Sequence, residues 1–223
     1  MSELGRDEFV KWLKSGRSLN GLNLERANLV ELDLTGASLR NCNLSGANFY
    51  KAVLDNVDFS GAILDECDFY KADLEGAKLN KASLIRAHFK DSDLLDADLT
   101  EADLTNANLE WASMKRVKLR NAKLERGNLY QVNLKAADLT GANLRGAIFE
   151  NANLKDAKLV DCDGQVTDFH RATLRNVDFS GSRLDGINLV SAEVAGSKFG
   201  KATGLTKEQV EYARSRGATG LDK

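Results

Sequence analysis

His88 and His170 each follow a carboxylate by twenty residues, Asp68 and Glu150 respectively. With Cys42, Cys67 and Cys162 they are the side chains from which acid–base, thiol or metal chemistry would be built. A histidine oriented by a carboxylate becomes a general base once a nucleophile stands beside it, and His, Cys and Asp within a few ångströms of one another hold a transition metal. Whether these groups converge depends on the elements that carry them.

Those elements are announced by a period of five. Every fifth residue from Leu19 to Phe199 is Leu or Phe, interrupted only by Met114, Gly164 and Val194, and the register never slips. Two residues earlier stands a small side chain, usually Ala, with Asp or Asn between, as in Ala47-Asn48-Phe49, Ala72-Asp73-Leu74, Ala97-Asp98-Leu99 and Ala142-Asn143-Leu144. A five-residue spacing fits neither a 3.6-residue helix nor a two-residue strand alternation. Self-similarity at a fixed spacing instead marks stacked units, each unable to bury its apolar face alone.

These residues make the chain resemble the pentapeptide-repeat proteins, whose motif is A(D/N)LXX with the Leu or Phe at its centre. The resemblance spans about nine tenths of the sequence. It implies an all-β solenoid, a right-handed quadrilateral β-helix in which four pentapeptides form the four sides of a coil, here about nine coils. It says little about activity, because a fold does not determine function.

Four-sidedness also has internal support. At a lag of twenty, Phe49, Phe69, Phe89, Phe149 and Phe169 fall in one column and Phe59, Phe179 and Phe199 in another, whereas a fifteen-residue coil would scatter them. At the same lag Asp58, Lys78, Asp98, Lys118, Asp138, Lys158, Asp178 and Lys198 alternate in sign. Opposite charges stacked at the strand spacing of about 4.8 Å attract by a few tenths of a kcal/mol per pair.

Such a rod keeps the reactive groups apart. His88 and His170 lie four coils from each other, about 19 Å, with no nucleophile placed to complete a relay. Cys42 and Cys162 share a column but are about 29 Å apart, and Cys67 is on another side, so neither a disulfide nor a shared metal site is expected. The cysteines occupy the small inward slot and read as apolar filler. The many Asp residues lack a Gly-Gly-x-Gly-x-Asp calcium signature and read as turn and surface residues. The expectation is therefore no enzyme, with no catalytic, cofactor-binding or metal residues and no cofactor.

Charge is balanced, with 31 Lys plus Arg against 33 Asp plus Glu, so no bulk field suggests direct nucleic-acid or membrane binding. No apolar run is long enough for a membrane helix, and Met1 to Arg6 lack the regions of a signal peptide, so a cytoplasmic protein is expected. Proline is absent, as suits coils that must each donate backbone N–H groups.

Both ends carry helix signals. Arg6 to Lys14 places Phe9, Trp12 and Leu13 at helical spacing behind Asp7 and Glu8. Thr206 and Gln209 have capping-box spacing, Leu205 and Val210 are placed as a staple, and Gly217 is a stop, predicting a helix over Thr206 to Arg216. The division is thus an N-terminal capping helix in 1–18, the repeat β-helix in 19–203, and a C-terminal helix and tail in 204–223. The helices should cover the open backbone edges of the terminal coils. Some relatives dimerise through such a helix, so the expected state is a monomer or a homodimer through a terminal helix.

Sorting outward residues by column leaves three surface features. The side with the Phe stack presents Tyr50, Tyr70, Trp111, Tyr130 and His170, flanked by Val30 and Val190, and is the expected partner-binding side. The next side carries Asp33, Asp55, Asp73, Glu75, Asp93 and Asp96, then turns basic at Lys115, Lys135, Lys155 and Arg175. Like charges stacked at strand spacing repel, which suggests an electrostatically complementary partner. Finally, Gly164 empties a core slot, predicting a local bulge.

The leading functional reading is a non-enzymatic binding or scaffold protein offering a rigid flat face to a protein partner. The resemblance implies an alternative, since some members imitate duplex DNA, bind type II topoisomerases such as gyrase and protect them from inhibitors. Such mimicry needs a long acidic surface, whereas Asp33 to Asp96 spans about 19 Å before the sign reverses. The loop insertions of one branch of those proteins are also missing.

Overall fold

The structure, a computed structural model, describes residues 6–221. The outermost ends of the two expected terminal segments, 1–5 and 222–223, lie outside the described residues, and so does most of the Met1 to Arg6 stretch.

The hydrogen bonds of one repeat explain its five letters. In Cys67–Lys71, Cys67 N–H closes a turn onto Leu64 O at 3.2 Å, and Asp68 N–H reaches down to Ala47 O at 3.0 Å. Phe69 N–H reaches up to His88 O at 2.7 Å, and Lys71 N–H reaches up to Lys90 O at 3.2 Å. The fifth donor, Tyr70 N–H, meets the Asp68 carboxylate at 2.9 Å. A buried N–H without an acceptor is costly, so the Asp or Asn of the motif is the internal acceptor for the one amide that the coils cannot serve. At Ser38 and Ser83 the coil below substitutes: Asn20 Oδ1 accepts from Arg40 N–H and Asp65 Oδ1 from Ile85 N–H.

The second residue after each central Leu or Phe turns the corner with φ between +51° and +74°. Lys51, Arg86 and Trp111 adopt this left-handed conformation although they have side chains. Such strain persists only where the surroundings over-determine it, here by a turn bond behind and a ladder bond above. Glycine at these corners does more than relieve strain: a Cβ on Gly61 would come within 2.5 Å of Asn41 Oδ1, which occupies that space from the coil below.

Coils stack in register. Parallel bridges join residues twenty apart in an unbroken series from Asn23↔Asn43 to Arg183↔Thr203. The Asp58-to-Lys198 column is bridged at every step. Within it Asp98 and Lys118 approach to 3.7 Å, while Asp58 and Asp138 pair diagonally with Arg40 and Arg120 at 3.9 and 3.8 Å. Inside, the central residues and the alanines form one continuous apolar core. Phe49, Phe69 and Phe89 stack with centroids 4.9 and 4.6 Å apart, and Phe179 stacks on Phe199 at 5.0 Å.

The expected bulge at Gly164 does not occur. Asp163 is bridged both to Asn143 and to Arg183, and Gly164 N–H bonds Arg183 O at 2.8 Å. The vacated slot is taken by Leu184, whose Cδ2 lies 3.0 Å from where a Gly164 Cβ would stand. A neighbour's side chain, rather than a backbone distortion, compensates the missing leucine.

Helix α1 spans Arg6–Lys14 and buries Phe9 against the first coil. Its Arg6 guanidinium donates to Val30 O at 2.8 Å, using an edge carbonyl that has no coil beneath it. Helix α2 spans Lys207–Ser215 with Thr206 as N-cap and the full capping box to Gln209, and Gly217 follows at φ +82°. It lies across the other open end: Gln209 Nε2 donates to Ile187 O at 2.7 Å and Tyr212 O–H to Ala192 O at 2.9 Å. The chain then returns to the rod, bridging Lys198 to Thr219.

Candidate interaction faces

The structure keeps the histidines and cysteines as separate as the period requires. Asp68 and His88 are bridged neighbours on adjacent coils. Among the described residues no three His, Cys, Asp or Glu side chains are placed to hold a metal ion. Each thiol donates to a core carbonyl: Cys42 to Leu19 O at 2.9 Å, Cys67 to Leu44 O at 3.0 Å and Cys162 to Leu139 O at 3.0 Å. Burial pushes the Cys67 and Cys162 thiols up to about 12 and raises Cys42, so these sulfurs stay protonated and unreactive. The same slot accepts Thr167, Ser182 and Ser197, whose hydroxyls bond Leu144 O, Leu159 O and Leu174 O.

The aromatic side resolves into a cluster and two outliers. Tyr50 and Tyr70, one coil apart, have ring centroids 5.7 Å from each other. Lys51 and Lys71 fold over them at 5.1 and 5.0 Å. Lys90 continues the column and lies 4.3 Å from the Trp111 ring, while its ammonium is 3.8 Å from Glu110. Trp111, 44% exposed, is held at its corner by Nε1–H donating to Gln131 Oε1 at 2.6 Å. Tyr130 and His170 are half-buried farther along the same side and join no ring contact. The cation–π contacts fix the flexible lysines and leave aromatic surface held in place.

The charged side has two halves. Asp33 accepts from Thr35 N–H at 2.9 Å, and its carboxyl is held below the usual range by the Thr35 hydroxyl and amide. Asp73 is pushed above that range, first by burial and then by Asp55, with Asp93 adding to the effect. Asp55 Oδ1 is buried without a hydrogen-bond partner. Asp96 is different, because Arg116 holds it in a two-pronged ion pair whose Nε–Oδ1 arm measures 2.7 Å. The acidic stripe therefore ends at Asp93. Beyond it Lys115, Lys135, Lys155 and Arg175 rise on successive coils next to the uncharged Ser113, Asn133, Asn153 and Thr173. No ion pair within 4.0 Å engages these four cations among the described residues.

Grooves lie at both caps: one runs between Ile187–Ser191 and α2, lined by Gln209, Tyr212 and Arg216, and another lies along α1, formed by Glu8, Lys11, Trp12, Ser15 and Arg17. Among the described residues no helix is long and apolar enough to cross a membrane.

Family profiles agree with this geometry. Pentapeptide repeats (8 copies) match residues 15–46, 42–80 and 82–121, and the pentapeptide repeat region profile matches 112–189. The chain belongs to the pentapeptide repeat family. Its right-handed quadrilateral β-helix is the architecture of that family. Among solved pentapeptide repeat structures, HetL, involved in heterocyst differentiation regulation in the cyanobacterium Nostoc sp. strain PCC 7120, is 30% identical. The match covers 88% of this chain and 98% of HetL at a TM-score of 0.50. QnrB1, a plasmid-mediated fluoroquinolone resistance protein, is 20% identical over 85% of this chain and 96% of its own, at a TM-score of 0.38. A pentapeptide repeat protein of the Arabidopsis thaliana thylakoid lumen is 24% identical over 65% and 74% of the two chains, at 0.25. No curated protein sequence matches the chain.

Proposed function

We propose that this pentapeptide repeat protein is a non-enzymatic, cytoplasmic scaffold that presents the Phe-stack side of its rod, about nine coils between a cap in 1–18 and a tail in 204–223, to a protein partner. The observation that carries this reading is the Tyr50–Tyr70–Lys90–Trp111 cluster, in which two half-buried tyrosines and an exposed tryptophan are each covered by a lysine. Tyr and Trp held rigidly on a flat surface lose little entropy when covered, which is why they dominate interface energetics. Tyr130 and His170 extend the contact along the rod. The core beneath is solid side chain, so the flank is the surface available for recognition.

Affinity capture with the purified protein, followed by binding measurements on the recovered partner, tests this. Tyr50→Ala, Tyr70→Ala and Trp111→Ala combined should weaken binding at least about tenfold with an unchanged melting temperature. Undiminished binding would remove the aromatic side from the proposal. Imitation of DNA toward a topoisomerase is disfavoured by the sign reversal after Asp93 and by the pairing of Asp96 with Arg116. Inhibition of gyrase supercoiling, or quinolone rescue, by the purified chain would restore that reading.

A further inference from the structure

The side that carries Leu34, Leu54 and Leu74 is acidic in its early coils and basic in its later ones, and the two halves have equal length. Glu75 stands two coils before Lys115, and Asp55 stands two coils before Leu95. A second copy turned end for end, with the two-fold axis in the interface plane between the levels of Leu95 and Lys115, places each column opposite itself in reversed order. Glu75 then meets Lys135, and Asp55 meets Lys155.

The neighbouring columns agree. In the column that precedes the central residues, Asp73 meets Asn133 and Asp93 meets Ser113, so the carboxyl crowded by its own chain gains a donor. In the corner column, Asp96 of each copy meets Arg116 of the other, and the ion pair seen within one chain becomes a four-membered set about the axis. Shifting the axis by half a coil either way sets Asp96 against Asp96, or Lys115 against Lys115. Side-by-side packing with both rods pointing the same way sets the Asp73 level against itself. Like charges directly opposite are destabilising, so one register and one direction are selected.

We propose that this side is an isologous interface through which two copies of the chain associate antiparallel, with the acidic half of each on the basic half of the other. Lys135 and Lys155, in the middle of the basic stack, then acquire counter-charges that their own chain does not supply. This interface lies on the side next to the one that carries Tyr50 and Tyr70, with Trp111 at the corner between the two.

Sedimentation velocity of the full chain tests the proposal. A dimer should form at low ionic strength, about 50 mM salt, and weaken at least about tenfold by about 500 mM as screening shortens the reach of the pairs. Each contact occurs twice, so Glu75→Lys alone, or Lys135→Glu alone, should raise the dissociation constant about tenfold or more. The double swap Glu75→Lys with Lys135→Glu in one chain should return it to within about threefold of the original. Both residues are exposed, and an unchanged melting temperature verifies that the variants are folded. A monomer at every salt concentration overturns the proposal. So does a dimer indifferent to these changes, which would be held through α2, or a swap that fails to restore association. A monomer whose basic half instead retains heparin would also overturn it, assigning those cations to a polyanion.

Discussion

Asp55 and Asp73 stand on adjacent coils with no donor between them: one oxygen of Asp55 is buried and unpartnered, and the Asp73 carboxyl is pushed above its usual range. Elsewhere in the rod this diagonal joins complementary groups, Ser83 to Asp65 and Asn128 to Glu110. An acid pair in that place is a cost that the isolated chain carries.

Replacing Asp73 by Asn supplies the missing donor. Because the folded carboxyl titrates higher than the unfolded one, ionisation disfavours folding, and the penalty grows as pH rises through the raised value. Asp73→Asn should therefore stabilise the monomer at pH 7 by about 0.5 kcal/mol, small because Asp73 is exposed and screened. The gain should fade as pH falls below the ordinary carboxylate value of about 4, where both states become protonated. Thermal unfolding across that range measures it.

Asp58, Asp103, Asp138 and Asp178 have the opposite sign. Burial raises each carboxyl, but the Ser or Thr two residues later, aided by a lysine or arginine, more than compensates and leaves it below the usual range. Their stabilisation is present above the unfolded carboxylate value and is lost as pH falls through the depressed one. Stability should decline between about pH 4 and pH 2 for this reason. Ser60→Ala combined with Thr140→Ala should flatten the decline, as read by urea midpoints at successive pH values.

Leu104 is fully buried between Leu84 and Leu124. Leu104→Ala should cost about 2–5 kcal/mol, the transfer term plus the cavity left in a packed column. An unchanged melting temperature would contradict the inward placement.

Gly164→Leu restores the commonest residue of the repeat and should nonetheless destabilise the rod, by about 1–3 kcal/mol, because Leu184 already fills the slot. Differential scanning calorimetry decides it: a rise in melting temperature would mean that the slot is empty.

The five-residue period carries the core and the corners, since each central Leu or Phe is inward for the same backbone reason. The twenty-residue lag of the phenylalanines anticipates the bridges, and Thr206 with Gln209 anticipates the α2 cap, because capping is local chemistry. What sequence leaves hidden depends on diagonals between coils. Leu184 leaning into the Gly164 slot, Arg116 reaching back to Asp96, and Lys90 covering Trp111 are choices of rotamer among neighbours twenty or so residues away. Column sorting groups Tyr130 and His170 with Tyr50, although Lys90 and Glu110 stand between them and the stacked tyrosines. The role of the motif's Asp and Asn as acceptors for a backbone amide becomes visible only when every donor of a repeat is traced.

Because each repeat closes its own corner and hands the same set of donors to the coils above and below, the rod has no preferred starting side. Insertion or loss of five residues would keep the interior intact yet rotate everything downstream by a quarter-turn, carrying the tyrosines away from Trp111 and separating the acidic stripe from the basic one. Gain or loss of twenty would preserve both alignments and alter only length. Surfaces that run along this molecule are thus heritable only in whole coils.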